Sequence, residues 1–155
     1  MKKVLLLLVA ISSAFVSCSD DDSQIVETSP IHGKWEVKSF SAEATINDVP
    51  VPEEDLDFNN VVGTTFEFKP EGKFLVTSYD DFDGKWVTDE GTYVYHSAQN
   101  KVEYTMFDSD GSSYTEEMSV KLLTNTSFNF TIATEEVDDG DVFKLSMDIN
   151  CEKVN

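Results

Sequence analysis

From Gly33 onward, apolar side chains recur at every second position with polar residues between them. A period of two belongs to strands with one face buried and the other in water, and little in this stretch would sustain a long helix. The predicted strands cover residues 33–44, 64–69, 73–79, 85–96, 101–107, 113–123, 127–134 and 142–151. The alternation is cleanest at the end, where Phe128, Phe130 and Ile132 are followed by Phe143, Leu145, Met147, Ile149 and Cys151. Pro70-Glu71-Gly72, Ala98-Gln99-Asn100, residues 108–112 and Thr124-Asn125-Thr126 are short enough for hairpins, which implies up-and-down order. A flat sheet of that many strands would expose two edges, and pairing the first strand with the last removes both. The expected fold is therefore all-β, a single up-and-down antiparallel barrel of about eight strands, with a sandwich as the other solution. Gly91, inside the strand over 85–96, marks a bulge or a sharp bend.

The start of the chain follows a different pattern. Lys2 and Lys3 precede an apolar stretch over 4–11 and small or apolar residues over 12–17, the layout of a secretory signal. The apolar run ends short of the roughly 20 residues a membrane-spanning helix needs. Phe15-Val16-Ser17-Cys18 resembles a bacterial lipobox, with Phe15 where leucine is usual. That resemblance implies cleavage before Cys18, which then carries acyl chains, and two or three such chains anchor a protein stably where one does not. The expected organisation is a type II signal peptide over 1–17, a lipidated acidic tether over 18–31 and a barrel domain over 32–155. Ser19-Asp20-Asp21-Asp22 is similar to the acidic export signal of surface lipoproteins of Bacteroidota-type bacteria, and it also reads as a solvated linker. The expected location is the outer membrane, lipid-anchored, at the cell surface. Fully extended, the tether reaches roughly 50 Å.

Charge and size narrow the function classes. Removing residues 1–17 leaves 138 of 155, enough for one core. It also takes two lysines and no acid from a formal charge of −19, leaving −21, and the chain has no arginine. Such a balance opposes nucleic acid and anionic headgroups and favours solubility and cationic partners. With Cys18 acylated, Cys151 has no cysteine to pair with, so the fold rests on its core.

Gly33-Lys34-Trp35, the hairpin from Phe66 through Pro70-Glu71-Gly72 to Phe74, Gly91-Thr92-Tyr93, and Leu122-Leu123-Thr124-Asn125-Thr126-Ser127-Phe128 together resemble the lipocalin-like domains of Bacteroidota lipoproteins. The resemblance implies an eight-stranded barrel with a central cavity. In lipocalins proper the tryptophan packs against an arginine, so here Trp35 is left to Lys144, Lys153 or apolar neighbours.

On the register of the strongest strands, Phe66, Phe68, Phe74, Val76, Tyr93, Tyr95, Val102, Tyr104, Met106, Met118, Val120, Leu122, Phe128, Phe130, Phe143, Leu145 and Met147 face inward. Aromatic rings, methionines and tyrosine hydroxyls suit a small hydrophobic ligand, and Phe66, Phe68, Tyr93, Tyr95, Tyr104, Met118 and Phe130 are the candidate contacts. The same side chains also suit a barrel filled by its own core. The long segment 43–63 contains Pro50 and Pro52, the latter placed to start a helical turn, and offers Val49, Val51, Leu56 and Phe58 as a lid; a bottom plug or a loop without function is the alternative.

Around a turn, Tyr79-Asp80-Asp81-Phe82-Asp83-Gly84-Lys85-Trp86 alternates aromatics with carboxylates as glycan sites do, and also reads as an ordinary hairpin. Asp80, Asp81 and Asp83, or Asp138, Asp139 and Asp141, offer oxygen ligands without EF-hand spacing. Cys151 lies on a buried strand face where thiols are inert, and His32 and His96 lack zinc-ligand spacing. No phosphate loop, serine elbow or cofactor motif occurs, so neither enzyme activity, cofactor nor metal is expected. Two functions stand: a cell-envelope lipoprotein binding a small hydrophobic ligand, or a self-filled barrel acting as a surface interaction module for a protein or glycan.

Overall fold

The computed structural model describes residues 29–56, 58–107 and 111–154. The leader, Cys18, the acidic run after it, Asp57 and most of the 108–112 connection lie outside the described residues. The strands are β1 (Gly33–Ile46), β2 (Val49–Pro50), β3 (Thr65–Phe68), β4 (Lys73–Asp80), β5 (Lys85–His96), β6 (Lys101–Phe107), β7 (Ser113–Leu123), β8 (Ser127–Asp138) and β9 (Asp141–Val154). Each pairs antiparallel with its neighbour in the order β1-β3-β4-β5-β6-β7-β8-β9, and β1 pairs with β9. Eight strands thus close into an up-and-down barrel, with the two-residue β2 lying against the end of β1.

β1, β8 and β9 run further than the alternation indicates, because two tight turns extend them. Asp139 (φ 48°) and Gly140 (φ 93°) join β8 to β9 in a two-residue turn with both residues left-handed, the geometry that matches strand twist. Asn47 (φ 51°) and Asp48 (φ 63°) do the same between β1 and β2. Pro52 does precede a helical turn, the 3-10 segment Glu53–Asp55.

Expectations at Gly91 and Leu122 change. The ladders flanking Gly91 run without a register shift, so no bulge sits there. Glycine is required instead by close approach, since a Cβ would stand 2.3 Å from the Thr105 carbonyl oxygen. Leu122 does not face inward: the register shifts between Val120 and Leu122, which turns Leu122 out to 45% exposure and packs Leu123 against the core. A second shift, between Val37 and Ser39, similarly resets β1, so Phe40, Ala42 and Ala44 take the inward positions.

Two ladders stop early. β1 pairs with β3 only from Gly33↔Phe68 to Glu36↔Thr65, and β7 pairs with β8 only up to Met118↔Ile132. The first gap is covered by the returning segment. Val51 N–H donates to the Ala44 carbonyl at 2.9 Å, Val37 N–H to that of Thr64 at 2.8 Å, and the Phe58 ring meets Phe40 edge-on at 5.8 Å. This segment is therefore wall more than lid. Val51, Leu56 and Phe58 are half-buried, whereas Val49 is 65% exposed and caps nothing. Nor is it a bottom plug, because Asn60 Nδ2 donates at 2.6 Å to Asp81, in the β4–β5 turn at the other end of the barrel.

Candidate functional site

The end of the barrel holding both termini of the domain is packed solid. Trp35 is its centre: Nε1 donates to the Ile31 carbonyl at 2.8 Å, and the Lys153 ammonium stands 5.0 Å from the ring centroid. Lys153 is held there by donating to the His32 carbonyl at 2.9 Å, and pairs with Trp35 in the β1–β9 ladder. It fills the cationic role that the sequence left between two lysines, while Lys144 bonds Asp48 at 2.8 Å. Ile31, in the stretch read as tether, is 0% exposed and belongs to the core. Around Trp35, Phe68 meets Phe74 at 4.9 Å, Tyr93 at 5.0 Å and Phe128 at 5.6 Å, and Phe128 stacks on Phe130 at 4.6 Å.

Six of the seven nominated ligand contacts, Phe66, Phe68, Tyr93, Tyr104, Met118 and Phe130, are buried members of this cluster, and Tyr95 packs partly buried against it. They touch one another. Tyr93 is anchored further by its hydroxyl, which donates to the Lys69 carbonyl at 3.2 Å. Each large ring so buried contributes roughly 1.5–3 kcal/mol, which makes this end the seat of stability.

Toward the 81–84 and 139–140 turns the interior changes. One inward step beyond the buried pair Met118 and Ile132 stand Glu116 and Thr134, and beyond Met147 stands Leu145, all half-buried. Phe40, Ala42, Val76, Ser78 and Val87 are also half-buried, and Asp89, which faces the same way as its partner Val76, is exposed. The small side chains Ala42, Ala44 and Ser78 replace the rings found below. The upper interior is thus less sealed than the lower, apolar on the β1 and β9 side, with carboxylates on the opposite wall.

Glu116 is the functional candidate the sequence reading missed. It pairs with Tyr104 across β6 and β7, and the Tyr104 hydroxyl donates to its carboxylate. Burial first, then that carboxylate, push the Tyr104 phenol well above its ordinary pKa, so it stays a donor. The signal was available, because Glu116 lies two positions from inward Met118, but one acid among 30 is inconspicuous.

The other clusters are occupied by local structure. Tyr79 and Trp86 pair across the outer face of β4 and β5 at 5.5 Å, while Phe82 at the turn is 98% exposed. Asp80 accepts from the Phe82 and Asp83 amides, Asp81 accepts from Asn60, and Asp83 bridges Lys85 at 2.7 Å. Asp141 accepts from Asn47 at 2.7 Å. Among the described residues, no three His, Cys, Asp or Glu side chains gather to hold a metal ion. Cys151 is 2% exposed, and burial pushes its thiol up to about 12, which keeps it protonated and unreactive.

No protein-family model and no curated protein matches the sequence. Among solved structures the chain is similar to a lipocalin-like protein from Bacteroides uniformis ATCC 8492, at 14% identity and a TM-score of 0.46 over 81% of this chain and 100% of that one. An uncharacterized protein from Bacteroides eggerthii DSM 20697 aligns at 14% identity and 0.43, over 79% and 98%. Bovine odorant binding protein, solved with its natural ligand, aligns at 19% identity and 0.46, over 83% and 74%.

Proposed function

We propose that this chain is a lipid-anchored cell-envelope lipoprotein that takes a small hydrophobic ligand into the open half of its barrel. The observation that carries the reading is the change of inward side chains along the axis, from sealed rings to half-buried Leu145, Met147, Phe40 and Ala42. Such a cup offers an apolar body contact on β1 and β9 and fixes orientation through a few polar groups, the usual composition of a ligand site. Glu116 and Thr134 are those groups, and they favour a ligand with a hydrogen-bond donor at one end. Tyr104 is the nominated residue with an atom at this wall, and the other six act by supporting it from below. The lipobox-like run ending at Cys18 and the acidic residues after it support outer-membrane anchoring and surface display.

Native mass spectrometry of the protein purified from its own host tests the ligand: a copurifying small apolar molecule is expected, and a bare mass in every preparation would count against it. Protease added to intact cells should release the domain, and complete protection beside a digested permeable-cell control would refute surface display.

A further inference from the structure

At the second place where a ladder stops, no returning segment is hydrogen-bonded into the gap through its main chain among the described residues. Beyond Met118↔Ile132, β8 continues through residues 133–138 with a ladder to β9 on one side and none to β7 on the other. Across from it, residues 115–117 of β7 are laddered to β6 alone. Two strand edges therefore face each other across a cleft of about 480 Å³. Its lining comes from both faces of the wall, Glu116 and Thr134 from inside and Glu117 and Ala133 from outside, so the split passes through the sheet.

Charge is in keeping with the parting of the strands. Continued in register, Glu116 and Glu117 would sit diagonally across from Glu136 and Glu135, and like charges that close oppose pairing. Five carboxylates line the cleft, with Glu103 the fifth, and no lysine does; from beside it Lys101 bridges Glu117 at 2.8 Å and neighbours Glu103, and Lys144 stands across from Glu135, which leaves Glu116 and Glu136 without a lysine partner among these contacts. A passing apolar ligand gains nothing from such a lining. A second copy of this chain, at −19, is repelled by it. An extended segment rich in lysine or arginine satisfies both features, because its main chain completes the open ladder while its side chains neutralise the carboxylates.

We infer that the β7–β8 split is a strand-addition site for a basic, extended segment of a partner protein. The cleft borders the proposed ligand site and shares Glu116 and Thr134 with it, but the peptide is recognised by main chain and charge and not by the apolar side chains. The test uses the full chain in neutral detergent and a fluorescein-labelled nonapeptide of alternating lysine and valine. Its counterpart has the same sequence and charge, with alternate backbone amides N-methylated so that it cannot ladder. The plain peptide should bind about tenfold more tightly or better, since several main-chain hydrogen bonds separate the two. Bound peptide should slow hydrogen exchange along 133–138. Reversing two exposed charges, Glu135→Lys with Glu136→Lys, should weaken binding by about tenfold or more without unfolding the barrel, which circular dichroism checks. Equal binding of the two peptides would reduce the effect to charge alone and overturn the proposal. So would undiminished binding to the reversed variant, or no binding at all.

Discussion

The two halves of the barrel share most of their strands and differ in what their inward positions hold. In the half around Trp35 those positions carry rings that stack on one another and a lysine over the indole. In the half around Glu116 they carry alanine, serine, leucine, methionine, a single phenylalanine on β1 and carboxylates, most of them still partly open to water. A small barrel has room for one or the other at any level, and this one uses both in sequence along its axis. Stability and binding should therefore separate by height, so substitutions in one half should leave the property of the other nearly intact.

The largest expected effect is Phe68→Ala, which removes a ring in contact with three others and should cost about 3–5 kcal/mol in urea unfolding. Leu145→Ala, half-buried at the cup, should cost about 1–2 kcal/mol while weakening ligand uptake. Equal losses would break the distinction. Gly91→Ala should cost at least about 1–3 kcal/mol in the same measurement, because the Thr105 carbonyl lies where the new methyl must go. Lys153→Met keeps the apolar stem but loses the cation over Trp35 and the bond to the His32 carbonyl, for about 1–2 kcal/mol.

Alkaline pH sharpens the comparison further. The Cys151 thiol, raised from 9.0 to about 12, favours the fold while protonated. That contribution is complete below about 9 and is lost as pH climbs toward about 12. The urea midpoint of the natural protein should accordingly fall more steeply over that window than that of Cys151→Ala. Parallel curves would mean that the thiol is not sealed.

Much of this was legible in the sequence. The alternation around Phe128, Phe130 and Ile132 located strands well, because a one-sided sheet imposes that pattern on whatever it buries. Leu122 and the inward run Phe40, Ala42 and Ala44 escaped because single-residue shifts in β7 and β1 reverse the phase, and no composition rule announces them. Asp139-Gly140 carried a hairpin signal that its neighbouring acids disguised as an ion site. What separates the sealed half from the upper one was not legible: height within a barrel follows from strand stagger around the closed sheet, although the β6–β7 hairpin alone already sets Tyr104 beside Glu116.

The central claim is that the upper interior receives a ligand and the lower does not. Titrating the isotope-labelled protein with N-phenyl-1-naphthylamine, a neutral apolar probe, and following its amide and methyl resonances tests this directly. Saturable shifts should appear at Ala42, Ala44, Leu145 and Met147 and be absent at Val37, Val102 and Cys151, and Ala42→Trp should abolish them while leaving the fold intact. Shifts centred on the lower set, or none up to the solubility of the probe, would contradict the account.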